Sequence, residues 1–195
     1  MLTALSLLTM QSFAQTPMDA LRKMFSDDAV SIVAEYEMTV RQIPVAGTSE
    51  LFIQGNRYHM KGNGLEVFCD GDAVWTIDES AMEVVIEPCD AMTEAYAANP
   101  VLLLAELDEV FAVTGQESAG GRTEYALTAI KDCGISQAQL SLSIDGRVLS
   151  GSFLLEDGTA VMIKVADMKK ADPVSESAFT PSRTFSSDWI ITDLR

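Results

Sequence analysis

The clearest pattern in the chain is an alternation that begins at Val30. Val30, Ile32, Ala34, Tyr36, Met38 and Val40 share one parity, while Ser31, Glu35, Glu37, Thr39 and Arg41 mainly hold the other. A period of two kept for more than ten residues predicts one long half-buried strand, even though Ala and Glu are good helix formers. Upstream the period is helical: Met18, Leu21, Met24 and Phe25 follow Pro17, a permitted first-turn residue, and Ser26-Asp27-Asp28 ends the run. Downstream, apolar runs are punctuated by Gly55-Asn56, Gly62-Asn63-Gly64, Asp70-Gly71, Asp145-Gly146 and Asp157-Gly158, which favour hairpin turns. The predicted strands are Glu50 to Gln54, Arg57 to Lys61, Leu65 to Cys69, Ala73 to Asp78, Met82 to Glu87, Val110 to Glu117, Thr123 to Lys131, Gln139 to Ile144, Arg147 to Leu155 and Thr159 to Asp167. They make a mainly β, antiparallel, meandering fold. No β-α-β alternation is present, which argues against a Rossmann-like or TIM-like enzyme.

One segment interrupts the strands. Ala91 to Ala98 is alanine-rich, and Pro100 opens Val101, Leu102, Leu103, Leu104, Ala105 and Leu107, apolar nearly all round. Such a helix must be covered, either as a plug or lid across the concave face of the sheet or as a core helix packed on it. The first fourteen residues also stand apart. Met1 to Ala14 carry no charge, and Leu2 to Met10 have the length of a secretory apolar region, well short of the roughly 20 residues that span a bilayer. Ser12-Phe13-Ala14 resembles a cleavage site, although a basic leader is missing and an N-terminal amphipathic helix is the alternative. The expected organisation is a signal-peptide-like segment at 1–14 and a single exported domain at 15–195.

Composition narrows the functions. In 195 residues, 48% hydrophobic, 13 Lys and Arg stand against 29 Asp and Glu, a net charge of −16 that repels nucleic acids and anionic membrane surfaces. The single histidine, His59, excludes multi-histidine metal centres, and its place between Tyr58 and Met60 in a strand turns it to the face opposite theirs. A hydrolase would have to rest on this one residue. Neither a G-x-S-x-G elbow nor a glycine-rich phosphate loop is present, and Asp70-Gly71-Asp72 reads as a turn rather than a cation loop. No cofactor, metal or catalytic residue is expected. Cys69, Cys89 and Cys133 allow three pairings; Cys69 with Cys89 would join two strand ends along one edge of a short meander, and three separate buried thiols are the alternative.

The stretches Leu51-Phe52-Ile53-Gln54-Gly55-Asn56-Arg57-Tyr58-His59-Met60 and Glu66-Val67-Phe68-Cys69-Asp70-Gly71-Asp72-Ala73-Val74-Trp75-Thr76-Ile77-Asp78 resemble the outer-membrane lipoprotein carrier family, the LolA-like proteins. Asn99-Pro100-Val101-Leu102-Leu103-Leu104, Phe179-Thr180-Pro181 and the closing Trp189-Ile190-Ile191-Thr192-Asp193-Leu194-Arg195, similar to the ends of Bacteroidetes-type members, follow in the family's order. The resemblance implies an incomplete antiparallel β-barrel, a half-barrel with a helical lid, that carries lipoprotein acyl chains through the periplasm. It also implies an inner-membrane lipoprotein-releasing transporter as donor, an outer-membrane acceptor, and a carrier that is monomeric and not stably membrane-bound.

The residues expected to line the hollow are Tyr36, Met38, Leu51, Ile53, Tyr58, Met60, Trp75, Ile77, Val84, Ile86, Phe153 and Ile163, with Leu103 and Leu104 from the lid. Met82 and Met92 are further methionines in candidate concave or lid positions. Many family members carry Arg-Pro where this chain has Gln54-Gly55, the arginine holding the empty carrier closed. Gln54 lacks the charge and planar fork of arginine, which leaves Gln54, Arg57 or Arg41 as candidate lid latches. The alternative function is an envelope sensor on the same half-barrel, with a protein partner or a different lipid ligand.

Overall fold

The computed structural model describes residues 16–40, 43–89 and 107–195. The expected leader, Arg41 and the expected helical interruption with Met92, Leu103 and Leu104 therefore lie outside the described residues. Helix α1 (Pro17–Asp27) opens the described chain behind a capping box, in which the Thr16 hydroxyl accepts from the Asp19 amide while the Asp19 carboxylate accepts from the Thr16 amide. The hydrogen bond from the Thr16 hydroxyl holds the Asp19 carboxyl below its ordinary range.

Six strands then run as a meander, β1 (Ala29–Val40), β2 (Ile43–Gln54), β3 (Arg57–Gly62), β4 (Leu65–Cys69), β5 (Ala73–Asp78) and β6 (Glu83–Pro88). After a short helix α2 (Leu107–Val110) come β7 (Phe111–Ala119), β8 (Arg122–Ala129), β9 (Ile135–Ser143), β10 (Val148–Leu155) and β11 (Ala160–Ala171), a 3-10 turn (Glu176–Phe179) and β12 (Ile190–Asp193). They form one open sheet in the order β12-β6-β5-β4-β3-β2-β1-β11-β10-β9-β8-β7, antiparallel at every ladder except β12 with β6. β1 pairs with β2 on one side and β11 on the other, so it joins the two meanders. The result is an open half-barrel.

Most predicted strands are present, with shifted ends. β2 begins seven residues early because Val45 and Gly47 pair with Met38 and Tyr36 despite Pro44 and Gly47, which argue against a strand when read locally. β9 begins at Ile135, and β12 adds an edge strand that no turn signal announces. The predicted hairpin turns hold, and Asp70 Oδ1 accepts from the amides of Asp72 and Ala73, both at 2.9 Å, to close the β4–β5 turn. Met82 is not in the hollow: it sits exposed in the turn before β6, at φ 52°.

α1 packs on the inner face. Met18, Leu21, Met24 and Phe25 join one core with Val30, Ile32, Ile53, Tyr58, Val74, Tyr125, Leu140 and Leu142, so strands from both halves curl toward the helix. The β9–β10 turn meets its backbone so closely that a Cβ on Gly146, at φ 82°, would collide with Ala20 and Leu21. Leu21 is 1% exposed. Leu21→Ala should therefore cost about 2–5 kcal/mol of unfolding free energy, read from the midpoint of urea denaturation.

Candidate functional site

Cross-strand pairing fixes which side chains share the inner face. Nearest α1, the row Val30, Ile53, Tyr58, Cys69 and Val74 is fully buried. The next row is Ile32, Leu51, Met60 and Val67, with Leu51 and Met60 only half-buried. Farther from the helix, Tyr36 lies between Gly47 and Ile163, and Met38 between Val45 and Val161, beyond which come Gly151 and Phe153. Tyr36, Met38, Val45, Phe153, Val161 and Ile163 are all half-buried. Burial thus falls along the strands away from α1, leaving an apolar strip that the described residues cover only in part.

Two glycines shape this strip. A Cβ at Gly47 would stand 2.7 Å from the Tyr36 Oη, so the missing side chain makes room for the ring to lie across the sheet. The Phe153 ring similarly leans over Gly151, with Cε2 3.4 Å from the position of its Cβ. Sequence reasoning missed both glycines and the lining valines Val45 and Val161. Only the register, which places each glycine beside an aromatic ring, reveals their role.

The structure splits the predicted lining set. Tyr36, Met38, Leu51, Ile53, Tyr58, Met60, Phe153 and Ile163 share the inner face, although Ile53 and Tyr58 are sealed within the core. Trp75, Ile77, Val84 and Ile86 are on the outer face, because Cys69 pairs with Val74 and the parity of Tyr58 passes to Val74 rather than Trp75. There Phe68, Ile77 and Val84 form a second core against Trp75, Ile86, Phe185 and Trp189. The C-terminal segment covers this face as a strap, with the Arg183 guanidinium over the rings of Phe185 and Trp189 and Phe179 fully buried 6.0 Å from Phe52.

Both described latch candidates serve the strap. The Gln54 side-chain amide donates to the Val174 carbonyl at 3.3 Å and accepts from the Val174 amide at 2.9 Å. Arg57 donates to the Asp70 carbonyl at 3.1 Å and pairs with Glu176 at 2.8 Å. The shallow recess of about 280 Å³ around Arg57, Asp70, Asp72, Glu176, Ser177 and Thr180 is charged and suits no acyl chain. His59 stands on the outer face as expected, but it is partly covered: its Nε2 meets Glu66 Oε1 at 2.9 Å, and its ring stacks on Phe68 at 4.3 Å. Cys69 and Cys89 bring their sulfurs to 3.5 Å as free thiols. Among the described residues, no group of three or more His, Cys, Asp or Glu side chains is placed to hold a metal ion, and no helix is long and apolar enough to cross a membrane.

A known structure shares this architecture. An uncharacterised conserved protein from Thermus thermophilus aligns over 91% of this chain and 96% of its own, with a TM-score of 0.58 at 15% identity. A LolA superfamily protein from Nitrosomonas europaea covers 86% of this chain and 97% of its own (TM-score 0.47, 15% identity). The chain shares the fold of the Thermus protein. A domain from Vibrio parahaemolyticus assigned to outer membrane lipoprotein sorting covers 83% of this chain and 94% of its own, at a TM-score of 0.45 and 11% identity. No family model and no curated protein matches the sequence.

The buried Tyr58 hydroxyl has no hydrogen-bond partner among the described residues. Burial pushes this phenol well above its ordinary value of 10, and the neighbouring Cys69 and Cys89 add to the shift. The unfolded chain ionises the phenol from about pH 10 upward while the folded chain keeps it neutral, so its contribution to stability is complete below pH 10 and is lost as pH rises above it. Tyr58→Phe should leave stability at neutral pH unchanged or higher, since an orphaned hydroxyl is removed, and should flatten the loss of stability between about pH 10 and 12 in denaturant titrations.

Proposed function

We propose that this protein is a periplasmic carrier that holds the acyl chains of lipoproteins in the inner-face hollow and moves them from an inner-membrane releasing transporter to an outer-membrane acceptor. The observation that carries this reading is the half-buried apolar strip of Tyr36, Met38, Leu51, Met60, Phe153 and Ile163 on the inner face. An acyl chain in water loses about 0.8 kcal/mol for each CH₂ left uncovered, so a traffic in acylated proteins needs such a surface. Methionine side chains at Met38 and Met60 adapt to chains of differing packing, and a strip that the described residues cover only in part suits release as well as uptake. The acidic surface keeps the carrier soluble and off anionic head groups while its cargo is shielded.

Native mass spectrometry with a triacylated lipopeptide and its unacylated control tests the proposal. Retention of only the acylated form is expected, and equal retention of both, or of neither, would overturn the carrier reading in favour of a protein-partner sensor or another lipid. Ile163→Glu and Met38→Glu should each weaken acyl binding by about tenfold or more, because the carboxylate would face the chain, whereas Glu37→Gln on the opposite face of β1 should leave it unchanged.

A further inference from the structure

Cys69 ends β4 on the inner face, and Cys89 follows β6, two strands away in the sheet. Strands so arranged lie nearly 10 Å apart, beyond the reach of a disulfide from regular positions. The chain closes that distance locally. After Pro88 it bends across the β4–β5 turn, where the Cys89 amide donates to the Asp72 carbonyl at 2.9 Å, and the two sulfurs come to 3.5 Å. The Cys69 sulfur is fixed from its other side by the Asn56 carbonyl at 3.7 Å. Cys133 is fully buried in the other half of the sheet, its thiol donating to the Ile135 carbonyl at 3.3 Å.

We propose that Cys69 and Cys89 are a redox pair that closes to a disulfide when the protein meets a dithiol–disulfide oxidant, while Cys133 remains a thiol. The half-buried Cys89 reacts first. It gives up its proton and attacks one sulfur of the oxidant's disulfide, expelling the other as a thiolate. The Cys69 thiol then loses its proton and attacks the Cys89 sulfur, releasing the oxidant's second sulfur, so that two protein thiols become one disulfide and the oxidant's disulfide becomes two thiols. This order follows from access: Cys69 is fully buried, and burial pushes its thiol up to about 12, which makes it a poor first nucleophile and a second one that depends on the partner already in contact. The bond would close a loop 20 residues around, tying the ends of β4 and β6 together where the chain leaves the sheet.

Oxidised glutathione is the probe. The folded full-length protein is incubated with it, the remaining thiols are blocked, and the chain is cleaved at the acidic residues between positions 69 and 89. The expected result is a peptide pair linked through Cys69 and Cys89, one blockable thiol at Cys133, the loss of two hydrogens in the intact mass, and a thermal midpoint several degrees above that of the reduced protein. Three blockable thiols after oxidation, mixed glutathione adducts at Cys89 that do not resolve, or a linkage through Cys133 would each overturn the proposal. Because the measurement is made on the unmutated chain, it does not depend on a cysteine variant folding.

Discussion

The ladder between β1 and β11 joins positions more than a hundred residues apart, pairing Ala29 with Ala171 and Met38 with Val161. On one side of it stands the meander that β1 begins, and on the other the meander that β11 ends. Without this joint, each half would present an apolar inner face with, among the described residues, only part of an eleven-residue helix to cover it. With it, the faces become one curved surface around α1. The bulge between Val33 and Ala34 falls on this ladder, just before the inner residues of β1 pass from buried Ala34 to half-buried Tyr36. A bulge adds local bend and twist, which suits a sheet that must curl at its middle.

Over β4 to β6 the sheet is apolar on both sides, and the two sides are covered by different parts of the chain. α1 seals one end of the inner face, while the strap of residues 172–189 seals the outer face of β2 to β6 through Phe179, Phe185 and Trp189. The strap is held by directional contacts at its entry, Gln54 with Val174 and Arg57 with Glu176, and by aromatic packing farther on. No comparable cover from the described residues reaches Tyr36, Met38 and Ile163. Along that strip the described residues leave a contiguous row of inner-face side chains half-buried, whereas the exposed apolar side chains, such as Ile43, Ile130, Ile144 and Ile190, lie elsewhere on the sheet and its turns.

Much of this was legible in the residues, and the misplacements have definite causes. The alternation from Val30 located the central strand and its inward face because Glu35, Glu37 and Thr39 mark the other side unambiguously. Glycine with asparagine or aspartate marked the hairpins because those turns need positive φ, as Gly55, Gly146 and Gly158 show. β5 defeated the same logic. Val74 faces inward while Trp75 and Ile77 face outward, and because the polar Thr76 and Asp78 share the inward parity of Val74, local alternation assigns Trp75, Ile77, Val84 and Ile86 together to the wrong face. Gln54 is expected beside a lid only because it stands where the family resemblance places a latching arginine, whereas its partner, Val174, is 120 positions away and invisible to local pattern. Gly47 is the subtler case: a residue that argues against a strand in isolation is what lets Tyr36 lie flat across its neighbour.

The parallel pairing of β12 with β6 carries a consequence for the order in which the chain is made. Glu83 meets Ile190, so β6 leaves the ribosome long before the strand that will cover its outer edge exists. Throughout that interval its backbone donors and acceptors offer a template to any other nascent chain. β6 carries Glu83 and Glu87, and the chain as a whole is strongly anionic, so two copies that approach edge to edge repel before they can pair. The acidity of this protein thus guards an unfinished sheet during its synthesis as well as the finished surface afterward.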